Sequence, residues 1–92
     1  MLIEKWPIER VKPYDKNLRR NDEAVARSIT EFGFRQPIVL DADGVIVVGH
    51  TRWRAAQRLG LANVPVHVAR ELTAAQARAY RIADNLTATI AD

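Results

Sequence analysis

The sequence contains no cysteine, which excludes disulfide bridges, thiol catalysis and metal sites built from cysteine ligands. It also lacks a run of about 18 apolar residues, the length that a membrane-spanning helix requires. Residues 1–12 have no apolar segment of the kind found in signal peptides. We therefore expect a cytoplasmic protein without a membrane partner.

The chain is short, and its length limits what it can do alone. With 92 residues, of which 48% are hydrophobic, it can form one modest core but not a TIM barrel or a Rossmann domain joined to a substrate domain. No internal repeat, low-complexity run or long linker divides it. We predict a single domain at 1–92. Because the last helical pattern has no terminator, we expect this domain to belong to a longer protein.

Charge of one sign is not in large excess, since 14 lysines and arginines against 11 acidic residues give a net charge of +3. Eleven of these cations are arginine, whose planar guanidinium matches two phosphate or carboxylate oxygens at once. An anionic ligand is one explanation of this bias, and an arginine-rich solvated surface is the other. The positions of the arginines must decide between the two.

Four β-prone segments and three helical patterns follow one another along the chain. Strands are predicted at 2–8, 37–40, 45–48 and 63–68, and helices from 21 or 22 to 32, from 51 to 59 and from 74 to about 85. Asp43 and Gly44 mark a hairpin between the two middle strands, and we assign Asp41 and Asp43 to its turn rather than to a metal. Both middle strands are almost continuously apolar, so we expect layers on both faces of the sheet.

Each helical pattern has a local signal. Val25, Ile29 and Phe32 follow the i, i+4, i+7 spacing of one helix face, which predicts an amphipathic first helix. Thr51 is the candidate N-cap of the second helix. Thr73 opens a capping box at the start of the third.

The most informative stretch is residues 49–58, between an apolar strand and the first turns of a helix. Helix starts collect anions, because their first N–H groups have no partner within the helix and the helix dipole is positive there. Gly49 lets a ligand approach the backbone, and Arg52 and Arg54 add charge at the same end. The alternative is an amphipathic helix with Trp53 on the core and arginine stems covering the surface.

Two segments and the hairpin between them resemble a known family. The segments are residues 33–38 (Gly-Phe-Arg-Gln-Pro-Ile) and residues 49–55 (Gly-His-Thr-Arg-Trp-Arg-Ala). In this order and spacing they resemble the ParB/sulfiredoxin superfamily, in particular its ParB-like N-terminal (nuclease-type) domain. The resemblance implies an α/β (α+β) fold, a small mixed β-sheet flanked by three helices, and the binding of CTP or ATP with Mg²⁺.

The resemblance also implies which residues contact the nucleotide. Gln36 and Pro37 would lie near the base or ribose. The phosphates would be surrounded by Gly49, His50, Thr51 and Arg52, with Arg54 as a conditional member. Asn85 would approach a phosphate or a metal-bound water. The family's third motif, E-N-x-Q-R, is reduced here to Asp84-Asn85 without the glutamine and arginine, so we do not expect robust CTP hydrolysis. His50 stands where sulfiredoxin has its reactive cysteine, which excludes that redox chemistry.

One subgroup is similar over further residues. Residues 6–14 (Trp-Pro-Ile-Glu-Arg-Val-Lys-Pro-Tyr) and 81–85 (Arg-Ile-Ala-Asp-Asn) resemble ParB-like domains at the front of phage and prophage DNA methyltransferases. The resemblance implies a DNA-associated protein that acts in DNA partition or regulation, or in DNA modification. No methyltransferase motif occurs in these 92 residues, so we expect no independent methyltransferase activity.

Other functions stay open at this point. A metal-dependent nuclease or NTPase would use His50 and Asp84 as catalytic groups, although no set of residues defines a metal site with certainty. A structural or homodimerising domain without catalysis is the second alternative. Lys16, Arg19 and Arg20 are candidate DNA contacts in a basic loop. No helix-turn-helix signal accompanies them, so we expect DNA to be read through the full-length protein or a partner domain.

Overall fold

The computed structural model describes residues 1–14 and 22–91, apart from the side chains of residues 85 and 87–91. The strands are β1 (Glu4–Pro7), β2 (Ile38–Leu40), β3 (Ile46–Val48) and β4 (Asn63–Val68), and the helices are α1 (Asp22–Phe32), α2 (His50–Arg58) and α3 (Ala74–Ala91), with a 3₁₀ turn at Ile8–Arg10. Within these described residues, no helix is long and apolar enough to cross a membrane. The possible helix cap at Asn21 lies outside the described residues.

The four strands form one mixed sheet in the order β1-β4-β2-β3. β1 pairs antiparallel with β4, β4 pairs parallel with β2, and β2 and β3 form an antiparallel hairpin. Pro7 is tolerated in β1 because this strand lies at the edge of the sheet, where one side needs no ladder donor. The arrangement confirms the predicted α+β fold, a small mixed sheet with three helices.

The core is built on the three strands β2, β3 and β4. Its largest fully buried side chains are Ile38, Leu40, Ile46, Val64 and Val66. α2 packs closely on this core because the small side chains of Ala55 and Ala56, which are fully buried, allow its backbone to approach. The start of α2 is therefore held at a fixed place beside β2.

The apolar face of α1 does not enter this core. α1 packs mainly on α2, and its one buried side chain is Ala26, whereas Phe32 is 61% exposed. Val25, Ile29 and Phe32 line one side of an open cleft instead. The sequence pattern predicted the apolar face of α1 but not the side on which α1 packs. The helix contacts α2 through the side that carries the small residue Ala26.

The local signals are confirmed at the hairpin and at α3. Asp41 Oδ1 accepts the N–H groups of Asp43 and Val45 at 2.9 and 3.0 Å, which fixes the turn between β2 and β3. The capping box is complete: the Thr73 N–H donates to Gln76 Oε1 at 2.8 Å, and the Gln76 N–H donates to Thr73 Oγ1 at 3.1 Å. α3 continues to residue 91 instead of ending near residue 85, since no glycine or proline interrupts it.

Two further predicted boundaries were wrong. Thr51 is not the N-cap of α2, because Gly49 holds that position and Thr51 is the second residue of the helix, 4% exposed. The first strand is shorter than predicted, since Ile8 begins the 3₁₀ turn. In both places the backbone geometry of a single residue determines the boundary: Gly49 determines where α2 begins, and Pro7 determines where β1 ends.

Candidate functional site

Gly49 makes the bend between β3 and α2. Its φ of 113° is one that side chains rarely adopt. A Cβ at this position would lie 3.3 Å from both Cα and Cγ1 of Ile38. The missing side chain therefore lets the bend pack against β2, a reason within the fold that the sequence interpretation, based on ligand approach, did not include.

The positive end of α2, its N-terminus, has no side-chain cap. Its first turn contains no acidic residue, whereas α1 begins with Asp22 and Glu23. The first N–H groups of any helix have no partner within the helix, and the dipole adds partial positive charge there. Arg52 and Arg54 follow within the first turns. This arrangement favours an anion near the first turn of α2.

Arg54 joins α2 to the beginning of α1. Its Nε donates to Asp22 Oδ1 at 3.0 Å, and its Nη2 lies 3.5 Å from Thr51 Oγ1. The Arg54 side chain is only 17% exposed. An anionic ligand would have to share this guanidinium with Asp22, so the role of Arg54 in phosphate binding stays a prediction.

Arg52 lies on another side of the helix, where it lines a cleft together with Gln36. The cleft has a volume of about 300 Å³ and is bounded by α1 and residues 33–36. The structure thus brings together one residue predicted to lie near the base and one predicted to lie near the phosphates. Pro37 is half-buried next to Gln36 along the chain but does not line the cleft.

His50 is the first residue of α2 and is only 5% exposed. Its Nε2 accepts the backbone N–H of Tyr14 at 2.8 Å, so the neutral ring carries its proton on Nδ1. Burial, helped by the nearby charges of Arg54 and Arg81, lowers the pKa of His50 to about 4 against the opposing effect of the Tyr14 hydrogen bond. The ring is neutral at pH 7. Its predicted part in catalysis stays a prediction.

Arg81, on α3, was not singled out as a site residue from the sequence. It is 8% exposed; its Nε donates to Ile46 O at 2.8 Å, and its Nη2 donates to Asp41 Oδ2 at 2.9 Å. The guanidinium also lies 4.4 Å from the centre of the Tyr14 ring. The sequence did contain a signal, because Arg81 follows the buried Ala77 by one helical turn and must face the same side.

The remaining predicted site residues are only partly described. Asp84 is half-buried and follows Arg81 on α3. Lys16, Arg19, Arg20 and the side chain of Asn85 lie outside the described residues. Among the described residues, no group of three or more histidine, aspartate or glutamate side chains is placed to hold a metal ion. The roles of His50 and Asp84 in catalysis stay predictions.

Comparison with known sequences identifies the family. The model of the ParB N-terminal domain matches residues 3–86. The chain is 39% identical over 71 residues to the ParB-like nuclease domain-containing protein YnaK of Escherichia coli K12, covering 73% of this chain and 82% of that protein. It is also 39% identical over 92 residues to the probable chromosome 2-partitioning protein ParB of Deinococcus radiodurans, covering 91% of this chain and 31% of that protein.

Solved structures agree with this similarity. The C-terminally truncated chromosome-partitioning protein ParB of Caulobacter crescentus, complexed with CTP-γ-S, superimposes with a TM-score of 0.77 at 33% identity, over 95% of this chain and 54% of that chain. Sulfiredoxin of Arabidopsis thaliana gives a TM-score of 0.68 at 26% identity, over 87% of this chain and 97% of that chain. The chain thus spans about a third of the Deinococcus relative and about half of the Caulobacter chain. With the family model matched over residues 3–86, the chain belongs to the ParB N-terminal domain family, as its sequence motifs predicted.

Proposed function

We propose that this chain binds a nucleotide, CTP or ATP, with the phosphates at the start of α2. The observation that carries the proposal is the uncapped N-terminus of that helix, which has no acidic residue in its first turn but has Arg52 and Arg54 close by. The CTP-γ-S in the structure of the Caulobacter relative supports the choice of ligand class.

In this proposal the backbone of residues 49–52 and the Arg52 side chain hold the phosphates, and Gln36 lies near the base. We assign Mg²⁺ to the phosphates because this ion commonly needs only one or two protein carboxylates when phosphates supply other ligands. Asp84 is the carboxylate that we assign to the ion, with Asn85 beside it in the sequence. The ion would neutralise part of the phosphate charge.

Calorimetric titration with CTP, ATP and a DNA oligonucleotide, each with and without Mg²⁺, tests the proposal. We expect saturable nucleotide binding, and because a hydrogen bond to a charged group contributes about 1.5–3 kcal/mol, Arg52→Ala should weaken it by roughly 10- to 100-fold. Arg58→Ala is the matched control, since Arg58 is on the same helix but is 55% exposed and paired with Glu23. Binding of neither nucleotide by the wild-type chain would overturn the proposal.

We further propose that the chain is the nucleotide-binding domain, 1–92, of a longer DNA-associated cytoplasmic protein, acting in DNA partition or regulation or beside a DNA methyltransferase. The structure of the Caulobacter ParB complexed to the centromeric parS site, with a TM-score of 0.68 at 33% identity over 90% of this chain, supports the DNA association. Lys16, Arg19 and Arg20 are the proposed DNA contacts. The full reading frame that contains residues 1–92 tests the link to a methyltransferase. If that link is right, the frame also encodes a methyltransferase motif.

A metal-dependent nuclease or NTPase is the second candidate, favoured by the name of the relative YnaK. It would use His50 and Asp84, and the same titration separates it from simple binding: release of inorganic phosphate or cleavage of the oligonucleotide would support it. Failure to bind any of these ligands would favour a structural or homodimerising domain, which sedimentation of the chain would then detect as a dimer.

A further inference from the structure

Arg81 makes the deepest polar contact between α3 and the rest of the fold. Among the described side chains of α3, only Ala77 and Arg81 are buried. A buried guanidinium is tolerated only when its donors are satisfied. Arg81 meets this condition by donating to the Ile46 carbonyl on β3 at 2.8 Å and to Asp41 Oδ2 at 2.9 Å.

The acceptor Asp41 is itself fixed in place. Its other oxygen, Oδ1, already accepts two backbone N–H groups of the hairpin turn, those of Asp43 and Val45. Burial opposes its ionisation, but the hydrogen bonds from Val45, Arg81 and Asp43 outweigh burial and lower the pKa of Asp41 below its ordinary value. The carboxylate is therefore ionised and cannot turn without breaking the hairpin turn, so it gives Arg81 a rigid anchor.

The opposite face of the Arg81 guanidinium leads to the start of α2. It lies 4.4 Å from the centre of the Tyr14 ring, within the range of a cation–π contact. The backbone N–H of Tyr14 donates to His50 Nε2 at 2.8 Å. Tyr14 thus connects Arg81 to His50, the first residue of α2. Through Arg81 and Tyr14, the hairpin, α3 and α2 are linked to one another.

We propose that Arg81 is a positioning residue of the nucleotide site, which holds α3 and the carboxylate of Asp84 at a fixed place relative to the Tyr14–His50 contact and the start of α2. The inference rests on the proposed function, because it concerns the same site. Asp84 follows Arg81 by three residues and lies on the same side of the helix. A carboxylate holds an ion best when the groups behind it fix its position, and loss of such a supporting group typically costs about 10- to 100-fold in metal affinity.

Arg81→Met and Arg81→Lys, with Arg78→Met as the matched control, test the inference. Arg78 is an exposed arginine on the same helix, three residues earlier. Arg81→Met should weaken binding of the nucleotide with Mg²⁺ by roughly 10- to 100-fold, and Arg81→Lys, which keeps the charge but not the planar fork, should recover part of that loss. Arg78→Met should bind as the wild type does. Equal binding by Arg81→Met and Arg78→Met would overturn the inference.

The contact between Arg81 and Asp41 is called the clamp below. Asp41→Asn tests it from the hairpin side and avoids any change in α3. An asparagine Oδ1 still accepts the turn N–H groups, while its amide group no longer accepts from Arg81. Asp41→Asn should weaken nucleotide binding, and its effect should not add to that of Arg81→Met. The control is the same substitution at the exposed neighbour Asp43, since Asp43→Asn should leave binding unchanged. Fully additive losses for Asp41→Asn and Arg81→Met would contradict the clamp.

The titration of His50, followed by nuclear magnetic resonance without any nucleotide, separates this inference from the proposed function. The charge of Arg81 helps to hold the pKa of His50 at about 4. Arg81→Met should raise the pKa of His50, and Arg81→Lys should keep it near the wild-type value, whereas a loss of general packing alone would affect both variants alike. If the wild type binds no nucleotide, the proposed function fails, and an unchanged His50 titration in Arg81→Met then overturns the clamp as well.

Discussion

His50 links the stability of the fold to pH through one buried ring. Its pKa is lowered to about 4, chiefly by burial, from the 6.5 of an ordinary histidine. Between these values the unfolded chain binds more protons than the folded chain, so stability must fall as the pH is lowered through that window. The expected loss is about 3 kcal/mol between pH 7 and pH 4, measured as the free energy of unfolding in urea at a series of pH values.

The variant His50→Gln is the control for this prediction. It should flatten the dependence between pH 6.5 and pH 4. Asp41 does not interfere, because its pKa is lowered from 3.8 and its protonation falls below the window. A pH dependence that persists unchanged in His50→Gln would show that another group is responsible.

Gly49 is a second residue whose role can be measured by itself. Gly49→Ala would place a Cβ 3.3 Å from the backbone Cα of Ile38, at a φ of 113°. Strain and contact together should lower the free energy of unfolding by about 2–3 kcal/mol. Gly60→Ala is the control: its φ is 71° and nothing lies within 4 Å of the added Cβ, so only about 1 kcal/mol of backbone strain is expected. If the two variants lost equal free energy of unfolding, the contact with Ile38 would not contribute to the effect of Gly49→Ala.

Helix α3 is the element whose start can be tested most directly. Thr73→Ala removes the oxygen that accepts the Gln76 N–H at 3.1 Å, and the loss of an N-cap costs about 0.5–2 kcal/mol of stability. Thr30→Ala is the control within α1, because the Thr30 hydroxyl only bonds back to the Ala26 carbonyl at 2.9 Å and alanine favours the helix. Urea unfolding should therefore show a loss for Thr73→Ala and none for Thr30→Ala.

At the scale of elements, the sequence predicted what local chemistry determines. The capping box at Thr73, the turn closed by Asp41 and the strand at 63–68 all rest on residues within a few positions of one another. The face by which α1 packs does not, because it depends on α2, which begins 18 residues after α1 ends. The true start of α2 was missed because the conformation of Gly49 fits the packing against Ile38 rather than a hydroxyl cap.

The candidate site follows the same division. The segment 49–54 stood out because glycine, helix start and arginines are adjacent in the sequence. Its long-range partners could not be predicted, since the contacts of Arg54 with Asp22, of His50 with Tyr14 and of Arg81 with Asp41 span 32 to 40 residues. No local pattern encodes which charges pair across such distances. The structure was needed to show that Arg54 and Arg81 already hold acidic partners.

The whole molecule is small enough for ligand binding to change its melting temperature strongly. A ligand that binds only the folded state at 100 times its Kd adds about 2.7 kcal/mol of stability. Domains of 60 to 100 residues shift by about 4–8 °C for each kcal/mol, and this chain has 92 residues. A saturating nucleotide should therefore raise the Tm by roughly 10–20 °C.

Thermal unfolding followed by circular dichroism, with CTP or ATP and Mg²⁺ at constant ionic strength, measures this shift. Arg52→Ala should show a clearly smaller shift at the concentration that saturates the wild type, because a Kd weakened 10- to 100-fold leaves about 0.4–1.4 kcal/mol of the stabilisation. The shift of each protein is measured against its own melting temperature without nucleotide. The preferred nucleotide is the one with the larger shift at equal concentration. An equal shift in wild type and Arg52→Ala would place the ligand away from the start of α2.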